Sequence, residues 1–412
     1  MSIAAQSADL DYLHVADPAH FVDGSIFDIF KKLRRDDPVH YCADSALGAY
    51  WSVTRYEDIM TVDTSHNIYS SAAALGGIVI DDAIQNDPDN DFQLENFIAM
   101  DQPRHTPQRK AVQPIASPPA IDSFKDLVRE RTARVLDSLP EGETFNWVEH
   151  VSIELTVQML ATLFDFPFED RHKLVRWSDI ATASEGSELI VDQKARIAEL
   201  MECLEYFTKL HNQRVKEDPK FDLISMMAHD PNTSNLAPQA YLANILLLIV
   251  GGNDTTRNSM SASIFATNLF PSEWDKLKND HELVPNAVAE IIRWQTPLAY
   301  MRRTALEDYE MHGKTIKKGD KVAMWYASGN RDERKFERPN DLIVDRHNAR
   351  NHISFGFGIH RCYGNRLAEL QLQILWQEML KRFKKIEVVE EPTRSLSSFV
   401  KGYTKMKVRI SA

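Results

Sequence analysis

Residues 355–366 read Phe-Gly-Phe-Gly-Ile-His-Arg-Cys-Tyr-Gly-Asn-Arg, and the meaning of this stretch decides the fold. Cys362 is framed by Gly356, Gly358 and Gly364, preceded by His360 and Arg361, and followed by a long amphipathic segment. Glycines at 356 and 358 permit sharp turns, and Gly364 lets the backbone approach a flat object closely. The apolar spacing of 365–383 predicts a helix. Cys362 therefore stands at a helix N-terminus, where free N–H groups and the dipole stabilise a negative sulfur. Such a loop is built to hold a thiolate against something large.

The pattern Phe355-x-x-Gly358-x-x-x-Cys362-x-Gly364 resembles the haem-binding signature of the cytochromes P450. A cysteine in a glycine-rich turn is otherwise most often a small buried hydrophobe. The resemblance implies haem b with Cys362 as axial thiolate, Phe355 and Gly364 beside it, and O2 as co-substrate. One thiolate on haem iron pushes electron density toward O–O cleavage. The implied fold is mainly α with a small β-rich region, a triangular helical prism with a long central helix over the haem. The implied activity is monooxygenation.

Composition agrees. The chain has 412 residues, 43% of them hydrophobic, enough for a large core. Three cysteines (Cys42, Cys203, Cys362), an odd number without CxxC pairs, argue against a disulfide framework and a zinc site. The N-terminus has neither a basic start nor an apolar run, and Ile245–Val250 is far short of the ~20 residues a membrane span needs. A cytoplasmic, soluble protein is expected. A net charge of −12 speaks against nucleic acid as a bulk partner.

Residues 39–56 alternate around Gly48 and predict a β-hairpin. Strand-like pieces recur at 301–327 and 386–410 and are expected to join in one β-rich region. Helical spacing covers 26–36, 121–138, 147–163, 169–183, 190–217, 237–269, 284–295 and 365–383. Residues 76–97 read as a long loop of the kind that forms lids or binding elements. No stretch is rich enough in Pro, Gly or Ser to divide the chain, so residues 1–412 are expected to form a single domain.

The longest helical stretch is interrupted by Gly251-Gly252-Asn253-Asp254-Thr255-Thr256. Each glycine costs roughly 1 kcal/mol relative to alanine in a helix interior, and Asn, Asp and Thr are also poor formers. Thr255 can bond back to the carbonyl of Gly251 and loosen the ladder, leaving a polar notch. The segment resembles the P450 oxygen-activation motif. That resemblance places Gly251 against the haem, makes Asp254 a proton relay, and has Thr255 organise the hydrogen bond near the distal oxygen.

Glu290 and Arg293, three apart on a helix, share a face. By the same resemblance they form a buried structural network with an arginine of the later meander, here Arg346. Two haem propionates need donors, and the resemblance assigns His105 and Arg109, near a helix expected to open at Pro107, together with Arg303 and His360. The neighbouring Arg302 is the alternative to Arg303.

The chain has no flavin or iron–sulfur segment, so a ferredoxin and an NAD(P)H-dependent ferredoxin reductase are expected partners. Arg361, Arg366 and Lys110 are candidates for the docking patch, because opposite charge speeds encounter. The Cys362 and Gly251–Ser259 stretches resemble the bacterial terminal alkane and fatty-acid hydroxylase group, with Tyr363 bulkier than the valine expected there. The pocket residues implied are Ile78, Val79, Ile80, Ile249, Val250, Leu298, Met301, Phe399 and Val400, an apolar set suited to a hydrocarbon. Terpenes and steroids would also suit such walls. A peroxide-driven hydroxylase is disfavoured by the intact Asp254–Thr255 pair. A haem-based sensor or carrier leaves that pair unexplained.

Overall fold

The computed structural model describes residues 13–81, 94–183 and 192–411. Helices dominate. At the centre runs Pro238–Leu269, whose first-turn proline is preset for a helix start and which buries most of its length. It packs on the helices His172–Thr182, Glu154–Phe164 and Val284–Gln295, and on a π-helical turn at Val148–Ile153. Gly251 and Gly252 do not interrupt it; 32 residues are continuous helix. Packing on three sides outweighs the local propensity cost of roughly 2 kcal/mol for the two glycines.

The helix Asn365–Arg382, which follows the cysteine, lies against Pro118–Asp137 and Val284–Gln295. Trp376 is fully buried there and packs at 5.5 Å, ring to ring, with Trp274. On the other side of the central helix, Phe164, Phe166, Trp177 and Phe207 close a second core.

The strands do not form one region. A five-stranded sheet has the order Val39–Cys42, Tyr50–Val53, Lys321–Met324, Met301–Ala305, Tyr69–Ser70. Its first pair is the expected hairpin, with Val39 opposite Val53. A three-stranded sheet and two two-stranded ones hold the remaining strands. The separation has a plain cause: the strand at 407–411 pairs with 385–388 on one side and on the other with Thr144–Asn146, a strand sequence reading did not foresee.

Helix Tyr56–Thr64 was also unforeseen, since four of its nine residues (Ile59, Thr61, Val62, Thr64) are β-branched and it adjoins the hairpin. Those residues cost a few tenths of a kcal/mol each in helix propensity. Burying Ile59 and Val62 contributes roughly 1.5–3 kcal/mol apiece, which wins. The part of the expected 76–97 loop at 82–93, and the first two residues of the expected 190–217 helix, lie outside the described residues. Among the described residues no helix is long and apolar enough to cross a membrane.

Candidate active site

The cysteine loop is held by a carboxylate from far away in sequence. Gly356 and Gly358 take φ of +63° and +67°, conformations that favour glycine. A Cβ at Gly358 would lie 2.6 Å from the carbonyl of Asp63. Asp63, buried, accepts from the Phe357 N–H at 2.7 Å, from the Tyr326 hydroxyl at 2.9 Å and from Arg303 at 2.8 Å. Burial pushes its carboxyl up while Arg303 pulls it down. Sequence reading missed Asp63, because the helix that carries it was itself unforeseen.

Within that loop the Cys362 N–H donates to Phe355 O at 2.8 Å. The N–H groups of Gly364 and Asn365 face the sulfur, as does the charge of Arg109 and Arg361. Desolvation outweighs them and pushes the thiol up. The cysteine is nonetheless accessible, because its exposed side opens on cavities rather than on packed protein.

The main cavity extends from Cys362 to Gly251 and Thr255 and holds about 2200 Å³ free of protein atoms, its mouth included. A Cβ at Gly251 would meet no protein atom within 4 Å, and one at Gly364 would meet only the cysteine sulfur, at 4.0 Å. Protein packing therefore demands glycine at neither; both leave the space clear. Ile78, Val250, Leu298, Met301, Phe399 and Val400 line this cavity. Val79, Ile80 and Ile249 do not. Ile80 is buried in the core beside Tyr50 and Trp325, with its N–H held by the Tyr300 hydroxyl at 3.2 Å. The Val79 carbonyl bonds Arg302, and Ile249, one helical step from Val250, turns fully into the helical core. Phe97, Leu160, Leu163 and Leu246 are wall residues that sequence reading missed.

On the central helix the Thr255 hydroxyl donates to Gly251 O at 3.0 Å, the bond its spacing predicted. Thr255 reaches the cavity; Asp254 does not. Asp254 is fully buried against helix His172–Thr182, bonded to Ser178 at 3.1 Å and Thr182 at 3.3 Å, and paired with Arg257 at 3.0 Å. Burial pushes its carboxyl up. Thr182 also lines the cavity, so its hydroxyl is the group that touches both Asp254 and that space. Arg257 in turn bonds Asp179 at 2.6 Å, which is partly exposed.

Glu290, Arg293 and Arg346 do meet, away from solvent. Arg293 makes two bonds of 2.7 Å to Glu290, and Arg346 Nε lies 2.9 and 3.0 Å from the same carboxylate. Carbonyls of Asn330, Pro339 and Asp341 take further Arg293 donors.

The group implied at Cys362 is a flat macrocycle with two carboxylates. His105 and His360 pack edge to face at 4.4 Å, both buried, and none of their four ring nitrogens has a protein partner. Burial holds both imidazoles neutral, His105 down to about 4. Beside them Arg303 lines the cavity, whereas Arg302 turns to the opposite face of the strand. Arg109 lines it too and donates to Arg361 O at 2.6 Å. Unpartnered imidazoles, two guanidiniums and a glycine-cleared space next to one cysteine fit haem. The helix carrying His105 begins at that residue rather than at Pro107.

One cysteine under such a cavity, with a hydroxyl-bearing helix lining it, fits a haem-thiolate protein. The chain belongs to the cytochrome P450 family, whose model matches residues 24–409. It is 33% identical over 391 residues to linalool 8-monooxygenase of Pseudomonas putida, covering 92% of this chain and 94% of that one. With a steroid C26-monooxygenase of Rhodococcus jostii it shares 31% over 403 residues, 95% of this chain and 83% of the relative. Among solved structures it resembles cytochrome P450-153 from Novosphingobium aromaticivorans, with 45% identity, a TM-score of 0.90, and coverage of 96% and 99%. CYP153D17 from Sphingomonas sp. PAMC 26605 gives 48% and 0.90, covering 97% and 98%. The chain is thus a haem-dependent monooxygenase of this family.

Proposed function

We propose that the enzyme hydroxylates the terminal carbon of medium- or long-chain alkanes or fatty acids, with electrons from NAD(P)H through a ferredoxin and its reductase. The supporting observation is the cavity wall. Beyond Arg109, Arg303 and Asp63, grouped at the Cys362 end, its charged residues give way to Ile, Leu, Met, Val and Phe side chains. Such walls recognise hydrocarbon by burial alone. Bound haem supplies O–O cleavage and insertion of one oxygen atom into a C–H bond, consuming two electrons and two protons.

The chain's own residues then have separable tasks. His105, Arg109, Arg303 and His360 hold the propionates, and Asp63 fixes the loop that presents Cys362. Asp254, protonated more readily because it is buried, passes a proton to the Thr182 hydroxyl or, on turning from Arg257, toward Thr255. Thr255 keeps its hydroxyl in the cavity by bonding Gly251 O. The apolar wall excludes water from the rest.

Relatives named for linalool and steroids keep a terpenoid or steroid substrate as the second reading. Titrating the haem protein with straight-chain fatty acids, alkanes, a terpene alcohol and a sterol, read by the haem spin shift, separates them. The linear compounds are expected to saturate at the lowest concentrations. Tighter binding of a sterol or terpene would sink the linear-chain reading. A carbon monoxide difference spectrum checks thiolate ligation in the same samples.

For the redox partner, the supporting observation is a second, open groove reaching Cys362, with about 1250 Å³ free of protein atoms, its mouth included. Its described lining includes Arg109, Lys110, Arg361 and Arg366 and no carboxylate. Lys381 and Arg382 belong elsewhere, paired with Glu378 and Asp137. Arg366→Glu is expected to slow reduction by an acidic ferredoxin several-fold at low salt and to flatten the salt dependence. An unchanged rate across ionic strength removes this face from docking.

A further inference from the structure

Arg302 and Arg303 are adjacent in sequence and opposite in task. Along strand Met301–Ala305 successive side chains alternate in direction. Met301 and Arg303 line the cavity; Arg302, between them, points to the other face and is 3% exposed. There its guanidinium donates to the carbonyls of Leu75 at 3.0 Å, Gly76 at 3.2 Å and Val79 at 3.1 Å. Its own N–H donates to Ile78 O at 2.8 Å, and the Thr304 hydroxyl donates to Leu75 O at 2.7 Å. Five bonds gather residues 75–79 onto the strand.

Gly76 completes the fit. Its φ is +106°, and a Cβ there would lie 1.9 Å from the Arg302 Nη2. No side chain can occupy position 76 while the guanidinium keeps its place. A rigid fork of donors suits this cluster of carbonyls, and a lysine, as a compact point donor, cannot span it. The residue the clamped loop delivers to the cavity is Ile78, beside Met301 on the strand that carries Arg302.

We propose that Arg302, seated on Gly76, is a positioning residue that fixes the Ile78 wall against the Met301 wall and so selects which carbon of a chain-like substrate is presented for attack. Selection of the terminal carbon in particular rests on the function proposed above. The wall is set from behind, by a residue that touches no substrate. Loosening the clamp widens the gap and admits the carbons next to the chain end.

The test uses the full-length haem protein with Arg302→Met, Arg302→Lys and Gly76→Ala. Gly76→Ala leaves the charge intact, and Thr304→Val removes only the hydroxyl's two bonds, to Leu75 O and from Arg302 at 3.3 Å, should the arginine variants fail to fold. Two readouts are taken: amide hydrogen exchange at Gly77 and Ile80, and the positions hydroxylated on a straight-chain fatty acid. Arg302→Met and Gly76→Ala are expected to speed exchange at least tenfold and to raise the share of subterminal product several-fold. Arg302→Lys falls between, with turnover within about twofold of the parent throughout. Faster exchange with an unaltered product pattern overturns the proposal, as does unaltered exchange. If the parent itself makes no terminal product, the function reading fails alone, and the clamp is judged by product positions on whichever substrate turns over.

Discussion

Replacing Glu290 by alanine is expected to destabilise the protein by about 3–5 kcal/mol, the range for removing one member of a buried ion pair. The carboxylate is fully buried and takes two bonds from Arg293 and the Nε donor of Arg346. Its loss would strand two guanidiniums, one fully buried and one nearly so. The Ile343 N–H, at 3.0 Å from the same carboxylate, would lose its partner as well. Glu290→Gln keeps the shape and part of the hydrogen bonding, so it should sit between. Urea unfolding checks this: the midpoint should fall with the slope unchanged. A midpoint within experimental error of the parent for Glu290→Ala would falsify the structural role. A hydrophobic replacement of all three residues is a different experiment, since desolvation makes such a triad weak evidence for net stability.

Thr255→Ala is the second. The enzyme is expected to bind haem and substrate as before and to consume NAD(P)H at a comparable rate, yet to release most of the reducing equivalents as hydrogen peroxide. The reason is geometric. Thr255 places a hydroxyl in the cavity and holds it by the 3.0 Å bond to Gly251 O, while Asp254 stands outside the cavity wall. Removing the hydroxyl takes away the central-helix donor at that point and leaves Thr182 as the link from Asp254. The cost in stability is only about 0.5–1.5 kcal/mol, that of one net hydrogen bond, so a folding defect does not imitate the effect. Product formed in full proportion to NAD(P)H consumed would rule out this role.

The fold was legible where periodicity was strong and local. The helices around 26–36, 237–269, 284–295 and 365–383 follow from apolar spacing, and each is present within a residue or two. What escaped was decided by tertiary packing. Tyr56–Thr64 is helical because Ile59 and Val62 find a core, and Thr144–Asn146 is a strand because the chain's last strand pairs with it. No local pattern carries either fact. The site divides in the same way. Thr255's bond to Gly251 is an i to i−4 contact and could be read directly. Asp63, Thr182 and Phe97 reach the site through contacts with segments remote in sequence, and spacing is silent about those. Val79, Ile80 and Ile249 were placed in the pocket by resemblance; the backbone turns Ile80 and Ile249 into the core instead, and Val79 bonds Arg302 through its carbonyl outside the cavity lining.

Asp63 has a bearing on when the site can exist at all. It closes the cysteine loop from 294 positions upstream of Phe357, and it also grips Arg303. Contacts of such separation form late, because closing a long loop must precede any gain from them. On the ribosome the anchor is thus made well before the loop it holds, and the loop stays open until the two segments meet. A chain that stops before Phe355 carries Asp63 and Thr255 but no cysteine loop, and has nothing to hold haem iron. Haem held through Cys362 therefore reports that the loop and its distant anchor have met.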